Sequence, residues 1–94
     1  MPLISGALEL AAQGLLTSGD KTNRLYVGDD VHIAEAVAPA LASLLFDPQT
    51  AGGLLISIPT ARADELLAHL RTRYKDAALI GHARARGPHA IVVR

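Results

Sequence analysis

Several groups of residues in this 94-residue chain have types and spacings that could do chemistry. The first is Asp47-Pro48-Gln49-Thr50-Ala51-Gly52-Gly53, a carboxylate, an amide and a hydroxyl ahead of a glycine pair, set between two aliphatic runs. Pro48 suits the first position of a helical turn, where its missing N–H is not needed. Asp47 can then accept hydrogen bonds from the backbone N–H of Gln49 or Thr50. Gly52 and Gly53 permit positive φ and close approach of another backbone or of an anion. Two uses are open to such a segment: a one-turn helix and glycine bend that reverse the chain into a buried strand, or an anion-binding nest. Neither a Walker lysine nor a GxGxxG spacing accompanies the glycines.

The remaining groups are thinner. Glu65 and His69 stand four apart on an expected helix, a spacing that can ligate a metal, but no third ligand accompanies them and an exposed helix pair explains them as well. His82 and His89 flank an expected hairpin turn and could approach each other. Asp29-Asp30 can cap a helix or contribute to a Mg²⁺ site. Arg71, Arg73 and Lys75 near a helix C-terminus complement the macrodipole, whereas Arg84 and Arg86 are too few to define a phosphate-binding surface. No Ser/His/Asp or paired-carboxylate constellation can be assembled. The chain has no cysteine, which excludes disulfides, thiolate nucleophiles and zinc knuckles within it and fits the cytoplasm. Neither a catalytic residue nor a metal site is expected.

The elements that must position these residues are read from periodicity. Ile4, Ala7, Leu8, Ala11, Ala12 and Leu15 fall at helical spacing, with Ser5 as candidate cap and Gly14 as stop. Residues 17–23 read as a polar loop and 24–27 as a short extended piece. Gly28-Asp29-Asp30 turns the chain into a helix beginning near Val31, which Pro39 kinks or divides before it ends near Leu45. Residues 54–58 read as an aliphatic strand buried on both faces. Thr60 caps a helix whose stripe is Ala63, Leu66, Leu67, Leu70 and Tyr74. Residues 77–85 and 90–93 read as strands joined by a turn at 86–89. The outcome is an α+β domain ending β-α-β-β, with three strands that leave exposed aliphatic edges.

Composition narrows the function classes. Hydrophobic residues make up 50% of the chain and aromatic ones only 3%, which predicts a packed aliphatic core. Nine basic residues balance nine acidic ones, so there is no electrostatic footprint for nucleic acid. The apolar N-terminal run lacks a basic region and is interrupted by Ser5, Gly6, Glu9 and Gln13, so it reads as a soluble helix and not a targeting peptide. No segment approaches the roughly eighteen apolar residues of a membrane span.

Residues 47–55, Asp-Pro-Gln-Thr-Ala-Gly-Gly-Leu-Leu, closely resemble the Asp-Pro-Gln-Thr-Ser-Gly-Gly-Leu-Leu signature of the selenophosphate synthetases (selenide, water dikinases). Residues 7–14 resemble the family's helix before a loop that ends in Asn-Arg, here Asn23-Arg24. Ala78-Leu79-Ile80-Gly81 resembles its late strand. Three departures stand out: Ala51 replaces the usual serine, Thr17-Ser18-Gly19-Asp20 replaces a proline-glycine-glycine-threonine run, and His82 replaces a glutamate.

The resemblance implies a single partial domain over residues 1–94. It corresponds to the second half of the family's C-terminal, aminoimidazole-ribonucleotide-synthetase-like (PurM-like) domain. The complete enzyme converts ATP, selenide and water to selenophosphate, AMP and phosphate in the cytoplasm, with Mg²⁺ and ATP held by an N-terminal domain. By this resemblance Asp47, Pro48, Gln49, Thr50, Gly52 and Gly53 form a wall of the ATP cleft, and Asn23 and Arg24 are candidate polar contacts. It implies no cofactor bound by this chain alone. The partners implied are the N-terminal domain of the same protein and a second copy in a homo-oligomer, with no nucleic acid and no membrane. A stand-alone binding or assembly module, or the tail of a fusion to a pyridine nucleotide-disulfide oxidoreductase, are the alternatives.

Overall fold

A computed structural model of the chain describes residues 1–49 and 52–94. These fall into two compact units, one of Ile4–Gly52 with Ala85–Arg94, the other of Met1–Leu3 with Gly53–Arg84. The expected α+β class holds: among the described residues there are four α-helices and a two-stranded parallel sheet.

In the first unit the apolar spacing of residues 7–12 forms α1, Ala7–Ala12. Its N-cap is Gly6, not Ser5, and no side chain caps it. Gly14 ends the helix as expected, with φ 79°, a conformation strained for any residue carrying a Cβ. The expected loop at 17–23 and extended piece at 24–27 are instead a helix, α2, Gly19–Val27. An Asp20–Arg24 ion pair at 3.0 Å, one helical turn apart, supports it in place of an apolar stripe. Leu25 and Tyr26 are exposed.

Gly28–Asp30 then makes the expected turn, a single 3₁₀ turn. The turn leads into a strand, β1, Val31–Ile33, in place of the expected helix. Pro39 forces its predecessor into extended backbone, and Ala38 has φ −56° and ψ 137°. Pro39 thus starts a helix, α3, Pro39–Leu45, and does not kink one. The expected end near Leu45 is correct.

The last strand, Ile91–Val93 (β2), pairs in parallel with β1 in the register Val31↔Ile91, His32↔Val92 and Ile33↔Val93. A parallel pair needs a long crossover, here residues 34–90, so the expected terminal hairpin does not form. Residues 54–58 and 77–85 form no strand, so of the expected β-α-β-β unit only the helix and the last strand remain, and the partner of that strand, β1, lies outside it.

The core differs from the aliphatic one expected. Among the described residues the buried hydrophobic ones are Ala11, Ala42 and Phe46. α1 packs against α3, and the buried residue of each is an alanine, which lets helix axes approach closely. Phe46, just past α3, supplies the one large buried side chain among the described residues, 8% exposed.

In the second unit Thr60–Arg62 form a 3₁₀ turn leading into α4, Ala63–Arg71. Thr60 is the first residue of that turn and not a side-chain cap. The helix stops before Tyr74, although the Tyr74 N–H still donates to the Leu70 carbonyl at 2.8 Å. Thr72 Oγ1 donates to the His69 carbonyl, 2.7 Å, so a side chain satisfies one of the last orphan acceptors. Arg71 Nε donates to the Ala77 carbonyl at 2.9 Å. Among the described residues no helix is long and apolar enough to cross a membrane.

Candidate functional site

The segment after α3 is where the sequence concentrates its unusual residues, and α2 holds it in place. Thr17 Oγ1, ahead of α2, donates to Asp47 Oδ1 at 2.8 Å. Asn23 Nδ2, from the middle of α2, donates to the Phe46 carbonyl at 2.8 Å. Arg24 reaches three groups at once. Its Nε donates to Asp20 Oδ2 at 3.0 Å, its terminal nitrogen donates to Ser43 Oγ at 2.9 Å, and its Cζ lies 4.3 Å from the centre of the Phe46 ring. The two candidate residues Asn23 and Arg24 therefore meet the Phe46–Asp47 corner directly. The ion pair with Asp20, one turn earlier on α2, fixes the Arg24 side chain as it reaches Ser43.

Of the two bonds expected at Asp47, the one from Gln49 N–H to its carboxylate is not made. Its carboxylate accepts from Thr17, and Gln49 N–H donates to the backbone carbonyl of Asp47 at 2.9 Å, with no helical turn over residues 47–49. Thr50 lies outside the described residues, as does Ala51. Gly52 has the Gln49 side-chain oxygen as its near neighbour, 3.9 Å from where a Cβ would stand. Gly53 has open space there and no positive φ, so the expected left-handed turn is absent at that glycine.

A cavity of about 190 Å³ opens beside this corner. Leu10 and Leu16 contribute to its apolar wall, and Thr17, Asp20, Ser43 and Asp47 to its polar edge. Asp20 Oδ2 is paired with Arg24, while its Oδ1 is buried and accepts no hydrogen bond from the described residues. The site thus has acceptors in excess of donors at its rim. Among the described residues the Thr17 hydroxyl donates to Asp47, the Ser43 hydroxyl accepts from Arg24, and no histidine borders the cavity.

Sequence reasoning misses Thr17, Asp20, Ser43 and Phe46 as parts of this site. Asp20 and Arg24 do carry a signal, opposite charges four residues apart, whereas Thr17 and Ser43 carry none.

The other candidates lie elsewhere. Asp30 Oδ1 accepts from Arg86 at 3.0 Å, and the Asp29 carbonyl accepts from His89 Nδ1 at 2.6 Å. A carbonyl only accepts, so Nδ1 of His89 carries the hydrogen. The His89 ring stacks on His32, centroids 5.2 Å apart, beside the β1–β2 pair. The hairpin expected to bring His82 and His89 together does not exist. Glu65 and His69 share α4. Among the described residues there is no group of three or more His, Asp or Glu side chains that could hold a metal ion.

No protein-family model matches the chain, and no solved structure matches it. Curated relatives do. A selenide, water dikinase of Clostridioides difficile is 36% identical over 94 residues, which is 99% of this chain and 27% of that protein. One of Caldanaerobacter subterraneus subsp. tengcongensis is 39% identical over 95 aligned residues, again 27% of its length. One of Agathobacter rectalis is 40% identical over 81 residues, 86% of this chain. The chain thus spans about a quarter of the length of the curated relatives it matches. By sequence it belongs with the selenide, water dikinases, as a homologue of one segment of those proteins.

Proposed function

We propose that the chain serves as the second half of the C-terminal domain of a selenophosphate synthetase, with residues 47–53 forming one wall of the cleft in which ATP reacts. The observation that carries this reading is the coincidence of two facts. The relatives align over essentially the whole chain, and Asn23 and Arg24, the second stretch in which the resemblance lies, hold Phe46, the residue directly before the Asp47 motif. In this reading Thr17, Asn23 and Arg24 hold the wall in place, and Asp47 and Gln49 present polar groups along it. On the same reading Mg²⁺ and ATP would be held by the N-terminal domain, as the family resemblance implies. The overall reaction would be ATP, selenide and water giving selenophosphate, AMP and phosphate, with every covalent step outside this chain.

A chimera tests the reading. The corresponding segment of the Clostridioides difficile selenide, water dikinase is replaced by residues 1–94, and selenide-dependent AMP formation is measured. An active chimera is expected, together with no activity from the 94-residue chain alone. A folded, inactive chimera, or selenide-dependent AMP release by the chain alone above a contaminant control, would overturn it. The second reading, a stand-alone assembly module, is favoured by the exposure of Leu54 and Leu55, 92% and 81%. It predicts a chain that associates and a chimera that does not work.

A further inference from the structure

Gly19 is the first residue of α2, and its φ lies outside the left-handed region, so conformational freedom does not explain a glycine there. Contact does. A Cβ built on Gly19 would stand 2.4 Å from Pro48 Cγ, 2.9 Å from Pro48 Cδ and 3.2 Å from Pro48 Cβ. Non-bonded carbons do not approach within about 3 Å, and a proline ring fixed to the backbone has no rotamer by which to move aside. Pro48 therefore seats directly on the backbone at the entry of α2. Its neighbours are fixed from the same side: Asp47 by Thr17 and the Phe46 carbonyl by Asn23.

We infer that Gly19 is a positioning residue, acting through Pro48, which sets where the Asp47 carboxylate stands on the rim of the cavity. Any side chain at position 19 pushes Pro48 outward and carries Asp47 away from Thr17. This holds whether or not the chain works in a selenophosphate synthetase, since it concerns contacts within residues 17–48 alone.

The sign of the effect makes the test sharp. Considered only as a helical residue, glycine is worse than alanine, so Gly19→Ala should raise the melting temperature. As the seat of Pro48, it should lower it by about 5 °C or more, as overpacking does in a small domain. The discriminating background is Pro48→Ala, which removes the atoms at 2.4 and 2.9 Å and leaves only the one at 3.2 Å.

Gly19→Ala, Pro48→Ala and the double variant of the 94-residue chain are compared by thermal melting and by amide chemical shifts. The expected result is a lowered melting temperature for Gly19→Ala, with shifts concentrated at Thr17, Phe46, Asp47 and Gln49. In the Pro48→Ala background the same substitution should be neutral or stabilising. If Gly19→Ala alone fails to fold, a double variant that folds like Pro48→Ala supports the inference, and one that fails as well overturns it. Gly19→Ala raising the melting temperature, or lowering it equally in both backgrounds, would also overturn it.

Discussion

Two neighbouring stretches are held in opposite ways. Residues 46–48 are fixed by named contacts: a buried aromatic ring under a guanidinium, a carbonyl taken by Asn23, a carboxylate taken by Thr17, and a proline ring seated on Gly19. Residues 54–58, far more apolar in sequence, carry no strand pairing, and Leu54 and Leu55 are largely exposed. Hydrophobicity supplies a drive toward burial without an address. In this chain the polar side chains of α2 supply the address, and the aliphatic run, lacking a described strand partner, has none.

The strongest test of that contrast is Phe46→Ala. Phe46 is the large side chain buried in the first unit, and its removal leaves a void and strips the ring from beneath Arg24. A loss of about 3 kcal/mol is expected from urea denaturation, as for other aromatic truncations in cores. A loss under about 1 kcal/mol would mean the corner is held by its hydrogen bonds alone.

Arg24→Ala should rank next, at about 1–2 kcal/mol. The guanidinium is partly exposed, which lowers the worth of its ion pair, but it also holds Ser43 and covers the Phe46 ring. Arg24→Lys should recover less than half of the loss, because an ammonium cannot serve Asp20, Ser43 and the ring face together. Full recovery by lysine would show that charge alone matters and that the forked geometry is incidental.

These same residues show why only part of the molecule is legible in its sequence. α4 can be read because Ala63, Leu66, Leu67 and Leu70 repeat at helical spacing, and its signal is local. α2 escapes such a reading because it is held through polar side chains: Asn23 and Arg24 reach Phe46 and Ser43, partners in α3 and just beyond it that are invisible without the fold. β1 escapes it because two aspartates look like a helix cap, whereas the decisive fact is a parallel partner at residues 91–93. The site is legible as a motif and illegible as a set of contacts, since Thr17 lies thirty residues from the carboxylate it holds.

The smallest effect on folding should come from the other side of the comparison. Leu54→Ser removes a side chain that is 92% exposed, so the stability of the isolated chain should stay within about 0.5 kcal/mol of wild type. Its consequence should appear in association instead. Leu54 and Leu55 present adjacent apolar side chains in backbone without strand pairing, and burying a leucine is worth about 1.5–3 kcal/mol. If a second copy covers this run, sedimentation equilibrium should show concentration-dependent association of the wild type. Leu54→Ser should then weaken it at least about tenfold, the equivalent of roughly 1.4 kcal/mol. Unchanged association in the variant would place the contact between copies elsewhere. A wild-type chain monomeric at every concentration would show that the aliphatic run does not draw in its own kind. On the cleft-wall reading proposed above, the surface covering it would then be a different one.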